Sequence, residues 1–121
     1  MRELRYRQAI YTNGKFRGFH FWGFSKGGFT APETGVSSVE DATKNSGQFT
    51  GLRDREGKEI YEGDVCEYSY FDNPPQVGSV VWHKTAAGFT LGGYPFGMHG
   101  FNGCAVIGNI YEHPEEGGDG I

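Results

Sequence analysis

Short runs of aromatic and β-branched residues, separated by glycine, make up most of this sequence. Glycine fills 21 of the 121 positions, and Phe, Tyr and Trp contribute 10, 7 and 2. Leucine occurs only three times and alanine six times. Helices favour Ala and Leu, strands favour β-branched and aromatic residues, and glycine favours turns. The sequence therefore predicts one all-β domain whose core is built from aromatic residues, Val and Ile.

The strongest local signal is the pair Asn13-Gly14, which lies between two alternating runs. This pair favours a type I′ turn because both of its positions need positive φ. A two-residue loop there predicts a hairpin in which Arg5 lies opposite Trp22. One face of that hairpin is then an apolar core face, formed by Leu4, Tyr6, Ile10, Phe19 and Phe21. The other face is basic and aromatic, and its residues are Arg5, Arg7, Tyr11, Phe16, His20 and Trp22.

The formal net charge of −4 conceals an uneven distribution. Residues 1–29 carry six basic residues and one acid, whereas residues 30–121 carry five basic residues and fourteen acids. A basic segment attracts phosphate, but an acidic whole weakens steering towards nucleic acid. The two parts could instead complement each other, within one molecule or between copies.

The cysteines and the N-terminus bear on the cellular compartment. Cys66 and Cys104 lie far apart and form no Cys-x-x-Cys pair, which indicates free thiols in a reducing environment. The N-terminus lacks the apolar stretch of a signal peptide, and no segment reaches membrane-spanning length. We expect a cytoplasmic protein that has no contact with a membrane.

Three segments carry a family resemblance. Residues 48–65 read QFTGLRDREGKEIYEGDV, residues 78–82 read GSVVW, and residues 106–115 read VIGNIYEHPE. In order and spacing these segments resemble the YopX family of small phage and prophage proteins. The resemblance covers residues 48–115 and implies an SH3-like barrel in the C-terminal half, within a bacterial host cell. It implies no catalytic site.

The expected organisation is a single β domain over residues 1–115, followed by a flexible tail over 116–121 that is acidic and glycine-rich. Within the domain, residues 1–29 form a hairpin extension, 30–47 a loop, and 48–115 the barrel. Glycines at strand ends supply positive φ or close backbone approach, so we assign them to turns and corners. The residues with this structural role are Asn13, Gly14, Gly51, Gly57, Gly63 and Gly108.

The spacing of the possible ligands and acids disfavours both a metal site and a hydrolytic active site. The possible soft metal ligands His20, His83, His99, His113, Cys66 and Cys104 lack the short paired spacing of zinc sites, so we expect no metal and no cofactor. The acids Asp54, Glu56, Glu59, Glu62, Asp64 and Glu67 alternate with Arg53, Arg55 and Lys58, which is typical of a solvated surface. A hydrolytic enzyme is therefore the least favoured function.

Two binding functions remain, and both use the basic aromatic face of the hairpin. Cations beside stackable rings suit single-stranded nucleic acid, although the acidic remainder counts against it. Exposed aromatic faces more generally mark protein interfaces. We therefore favour a non-enzymatic protein that acts by binding as a homo-oligomer or with another protein partner, with nucleic-acid binding as the alternative.

Overall fold

The computed structural model describes residues 4–25, 27–33, 45–97 and 100–114. All the regular secondary structure within these ranges is β-strand, apart from a single 3-10 residue at Pro114. The all-β prediction is therefore confirmed. The tail predicted over 116–121 and most of the loop predicted over 30–47 lie outside the described residues.

The strands form two antiparallel sheets of five strands each. The first contains β1 (Leu4–Thr12), β2 (Lys15–Ser25), β3 (Gly28–Thr30), β4 (Ser46–Arg53) and β5 (Glu59–Tyr61), in the order β3-β2-β1-β4-β5. The second contains β6 (Asp64–Tyr70), β7 (Gln76–His83), β8 (Gly88–Leu91), β9 (Tyr94–Pro95) and β10 (Phe101–Asn109), in the order β10-β6-β7-β8-β9. Among the described strands no pairing closes either sheet, so a closed SH3-like barrel is not confirmed.

The predicted N-terminal hairpin is present, but its register differs from the expected one. Asn13 and Gly14 form the turn with φ angles of 53° and 76°. A bulge follows, because Tyr11 pairs with Phe16 whereas Ile10 pairs with Gly18. The intervening residue, Arg17, therefore has no partner in the ladder. A one-residue insertion moves every later side chain of a strand to the opposite face.

The bulge corrects the predicted composition of both hairpin faces. Arg5 lies opposite Gly23 rather than Trp22, and Tyr6 takes the place opposite Trp22. Arg7 lies opposite Phe21, so the arginines share a face with the phenylalanines that were predicted for the core. The predicted register was wrong because it assumed an unbroken ladder on both sides of the turn.

The core lies in the second sheet and at its junction with β5. It consists of buried aliphatic, aromatic and thiol side chains from alternating strand positions: Ile60, Cys66, Tyr68, Tyr70, Val80, Leu91 and Cys104. The two cysteines are free thiols, as predicted. Phe89, Phe96, Phe101 and Val106 pack around this cluster.

Gly63 forms the corner that joins the two sheets. It has a φ of 92°, and its backbone N–H donates to the Val80 carbonyl at 2.8 Å. Its carbonyl accepts from the Ile110 N–H at 2.8 Å. The corner thus ties the start of β6 to β7 and to the end of β10. Gly51 and Gly57 also have positive φ, and Gly108 lies at a register break between β6 and β10.

Candidate binding cleft

A cleft of about 550 Å³ lies between the first sheet and strand β10. Arg7, Phe19 and Phe21 from the hairpin form one wall, and residues 106–109 of β10 form the opposite wall. Residues from the β5 region and the start of β6 contribute the remaining polar groups. Phe21 and Ile107, one on each wall, are 54% and 56% exposed. The mouth of the cleft therefore carries unburied apolar surface on both sides.

Arg7 and Asp64 form a buried ion pair in this cleft. Arg7 Nη2 lies 2.6 Å from Asp64 Oδ1, and the two side chains are 8% and 2% exposed. The guanidinium carbon lies 4.1 Å from the ring centroid of Phe19 and 5.0 Å from that of Tyr61. Arg7 is thus held by one carboxylate and two aromatic rings. Its Nε is buried and has no acceptor within the described part of the chain.

The environment of Asp64 sets its charge state. Burial raises the pKa of Asp64, whereas the charge of Arg7 and a hydrogen bond from the Tyr61 amide oppose that rise. The amide nitrogen of Tyr61 donates to Oδ2 at 2.7 Å. Each carboxylate oxygen therefore has one strong partner, which a charged group with so little solvent contact requires.

A second arginine of the hairpin is paired in the same way. Arg5 donates from Nη1 and Nη2 to the two carboxylate oxygens of Glu59, at 3.2 and 2.6 Å. The guanidinium also lies 4.3 Å from the Phe49 ring centroid. The hydrogen bond from Arg5 lowers the pKa of Glu59. The basic hairpin and the acidic segment therefore complement each other within one molecule at these two pairs.

The other predicted interface residues have separate environments. Trp22 stacks on Tyr6 with centroids 4.5 Å apart and donates from Nε1 to Ser46 Oγ at 3.1 Å. His20 Nε2 lies 2.8 Å from the carbonyl oxygen of Ala31. These two side chains occupy the hairpin face opposite the arginines.

Tyr11 and Phe16 remain on the same face as Arg5 and Arg7. The Phe16 ring stacks on Tyr111 at 5.9 Å, and Tyr11 contacts Phe16 edge-on at 6.0 Å. Of the six residues predicted to form an interface, only Tyr11 has a largely exposed side chain, at 44%.

Two acids predicted for a solvated surface are in fact buried. Asp54 is 7% exposed and Asp64 is 2% exposed. The carboxylate of Asp54 accepts three backbone N–H bonds, from Glu56, Lys58 and Val106, at 2.8 to 2.9 Å. The expectation of a solvated surface was wrong because it rested only on the mixture of acidic and basic residues in this segment.

A signal for Asp64 was present in the sequence. In strand β6, Asp64 shares its alternating positions with Cys66, Tyr68 and Tyr70, all of which are buried. Residues two apart on a strand point to the same face. An acid at the start of an otherwise apolar face indicates a buried carboxylate that needs a cationic partner.

No group of three or more His, Cys, Asp and Glu side chains in the described ranges is arranged to hold a metal ion. His99, one of the ligands considered from the sequence, lies outside those ranges. The described residues likewise contain no helix that is long and apolar enough to cross a membrane.

Two open antiparallel sheets that border a cleft with polar groups on its floor define a small protein whose described residues form an all-β fold. The family model described as YopX protein matches residues 25–116. This range is more than half of the chain, so the protein belongs to the YopX family. The match includes residues 25–47, which lie before the segments that carried the resemblance. No curated protein matches the chain.

Proposed function

We propose that this YopX protein is a non-enzymatic phage or prophage accessory protein that works in the cytoplasm of a bacterial host. It acts by binding, and its partner is a second copy of the same chain. The observation that carries this proposal is that Lys15 and Arg17 at the hairpin tip, and Glu112 of the cleft, have no ion-pair partner among the described residues. An SH3-like barrel in the C-terminal half stays a prediction, and the proposal does not depend on it.

The polar groups of the cleft favour binding over chemistry. Asp64 is held by Arg7, and Glu59 is held by Arg5. General acid–base catalysis needs a titratable group that is free to exchange a proton with the substrate. The described cleft-lining residues include no Ser, Thr, Cys or His that could serve as a nucleophile or proton shuttle. The paired charges stabilise the shape of the cleft instead.

The hairpin tip supplies the complementary surface. Lys15 and Arg17 flank the turn, are exposed, and have no ion-pair partner among the residues that the structure describes. Tyr11, which pairs with Phe16 across the hairpin, is 44% exposed. Tyr and Arg are enriched in protein interfaces because they combine apolar area with hydrogen-bonding groups.

The cleft has the charge and the apolar surface to receive this tip. Asp64 and Glu59 of its lining are paired with Arg7 and Arg5, so Glu112 is the lining acid without an ion-pair partner in the described ranges. Docking of the tip into the cleft of a second copy would place Lys15 and Arg17 near the exposed Glu112. It would also place the Tyr11 ring between the apolar walls of that cleft. Complementary charges of this kind orient and select partners.

Charge reversal tests the proposal. Wild-type protein at tens of micromolar should scatter light as an oligomer, and Lys15→Glu with Arg17→Glu should shift it towards monomer. Glu112→Lys should also weaken association, and combining all three changes should restore it. Each exposed charge pair is worth up to about 1 kcal/mol, or roughly fivefold in affinity. Lys84→Glu, in the exposed β7–β8 turn, is the matched control.

The proposal fails if the wild type is monomeric under these conditions, or if the combined variant is no better associated than the single reversals. Single-stranded nucleic acid is a second candidate, favoured by the exposed Tyr11 ring and by two hairpin cations that have no ion-pair partner in the described part of the chain. In that case a monomeric wild type binds single-stranded DNA with an affinity that falls as salt rises. Because Arg5 and Arg7 are paired internally, this surface is smaller than the sequence indicated.

A further inference from the structure

A second pocket, of about 330 Å³, lies on the other side of the β5 region. Its apolar walls include Ile60, Phe96 and Phe101, and Cys104 also lines it. Arg53 and Arg55 contribute to the lining and are 61% and 47% exposed. Cys104, although only 2% exposed, therefore borders an apolar space whose lining also includes two guanidinium groups.

Cys104 has a second thiol beside it. In the β6–β10 ladder Cys66 pairs with Val106 and Cys104 pairs with Tyr68, so the cysteines are diagonal neighbours on one face. An interaction between the two thiols is the largest influence on the pKa of each. Cys66 is fully buried and does not line the pocket. Cys104 is 2% exposed, so the two thiols differ in access only in that Cys104 borders the pocket.

The surroundings separate the acidities of the two thiols. The hydrogen bond with Cys66 lowers the pKa of Cys104, with the charge of Arg55 in support; burial and the carboxylates of Asp54 and Asp64 oppose it. The same hydrogen bond and burial raise the pKa of Cys66. Cysteines that respond to oxidants combine thiolate character, access and a nearby resolving cysteine.

We propose that Cys104 and Cys66 form an oxidation site for small hydroperoxides, in which Cys104 reacts through the pocket and Cys66 resolves the product. The Cys104 thiolate sulfur attacks one peroxide oxygen, the O–O bond breaks, and the departing oxygen takes a proton. This step yields a sulfenic acid. The Cys66 sulfur then attacks the Cys104 sulfur, and the hydroxyl leaves as water with the Cys66 proton. Two thiols and one hydrogen peroxide become one disulfide and two waters.

The register predicts that this disulfide is easily reduced. Diagonal neighbours in an antiparallel pair have Cα atoms about 7–8 Å apart, which is at or beyond the usual span of a disulfide. Forming the bond must therefore draw β6 and β10 together. Strained disulfides have more oxidising potentials and return readily to thiols. These strands also carry Asp64 and the β10 wall of the cleft, so oxidation alters both pockets.

The direct test is peptide mass mapping after treatment of reduced protein with hydrogen peroxide and blocking of the remaining thiols by alkylation. In the wild type the Cys66 and Cys104 peptides should be joined, with the loss of two hydrogens, and a thiol reductant should separate them. In Cys66→Ser, a dimedone adduct should appear on Cys104. Cys104→Ser should leave Cys66 unmodified. An unlinked wild type, or equal reaction of Cys66 in Cys104→Ser, overturns the proposal.

A second measurement separates positioning from mere packing. The rate of Cys104 alkylation against pH should shift to higher pH in Cys66→Ala, which lacks the donor, and return in Cys66→Ser, which keeps a hydroxyl donor. Arg55→Gln should slow the reaction with peroxide several-fold. Arg53→Gln is the matched control and should leave the rate unchanged. Equal effects of the two arginine variants would contradict the assigned role of Arg55.

Discussion

Removing the charge of Arg7 should destabilise the fold strongly. In Arg7→Met the side chain keeps an apolar stem between Phe19 and Tyr61, but the carboxylate of Asp64 loses its ion pair. That carboxylate then has a single hydrogen bond, from the Tyr61 amide, and almost no solvent contact. Breaking one partner of a buried pair costs about 3–5 kcal/mol. This is a large part of the roughly 5–15 kcal/mol by which a domain is stable.

The cost should depend on pH in a defined direction. Without Arg7, burial alone raises the pKa of Asp64 further above its ordinary value of 3.8. A carboxyl whose pKa is higher in the folded state binds more protons there than in the unfolded chain. The destabilisation should therefore be smallest below about pH 4 and should grow as pH rises through the folded-state pKa.

Urea unfolding of wild type and variants at neutral and acid pH provides the assay. Arg5→Met is the matched control, because its pair with Glu59 is partly solvated, at 23% and 28% exposure, and should cost about 1 kcal/mol or less. Adding Asp64→Asn to Arg7→Met should recover part of the loss, since the amide still accepts from Tyr61. If Arg7→Met costs no more than the control, the buried pair contributes nothing net and the reasoning is refuted.

Two further changes test the backbone contacts. Asp54→Asn should cost about 1–3 kcal/mol in the same assay, because one atom that accepted a backbone N–H becomes a donor. Burial raises the pKa of Asp54, but bonds from the amides of Val106, Lys58 and Glu56 outweigh it and hold the pKa low. The stabilisation by Asp54 should therefore be present above the unfolded-state pKa and lost as pH falls through the lower folded-state pKa. If the difference in unfolding free energy between wild type and Asp54→Asn does not change at acid pH, this reasoning is wrong. Gly47→Ala should destabilise because its Cβ would collide with the Glu62 carbonyl oxygen, whereas Gly97→Ala meets open space and should be neutral; equal melting temperatures would refute the steric argument.

Local chemistry was enough to predict the all-β class and the first hairpin with its turn, but not the short strands β3 and β9. Asn13-Gly14 determined the turn because few residues tolerate positive φ at both positions. The pairing of Thr12 with Lys15 followed directly. The pairing beyond Ile10 did not, because a bulge depends on what the two strand faces must bury. Gly18, with a φ of 147°, was the available signal, since glycine inside a strand often marks a bulge.

The candidate site was harder to predict because its parts are distant in sequence. The Arg7–Asp64 pair joins residues from the first and sixth strands, and no local pattern links them. Only the placement of Asp64 on an apolar face indicated that a cation was needed. The identity of that cation depends on how the two sheets pack, which a single sequence does not encode in any short motif.

The bulge at Arg17 connects the fold to the proposed function. By shifting β2 by one residue, it places Phe19 and Phe21 on the hairpin face of Arg5 and Arg7, where Glu59 and Asp64 pair with the two arginines. The basic charge that remains unpaired among the described hairpin residues is then concentrated at Lys15 and at Arg17 itself. The same bulge therefore brings Phe19 and Phe21 to the cleft wall and leaves Arg17 without a ladder partner near the hairpin tip. The self-association that we propose therefore uses a tip and a cleft wall that both depend on this one bulge.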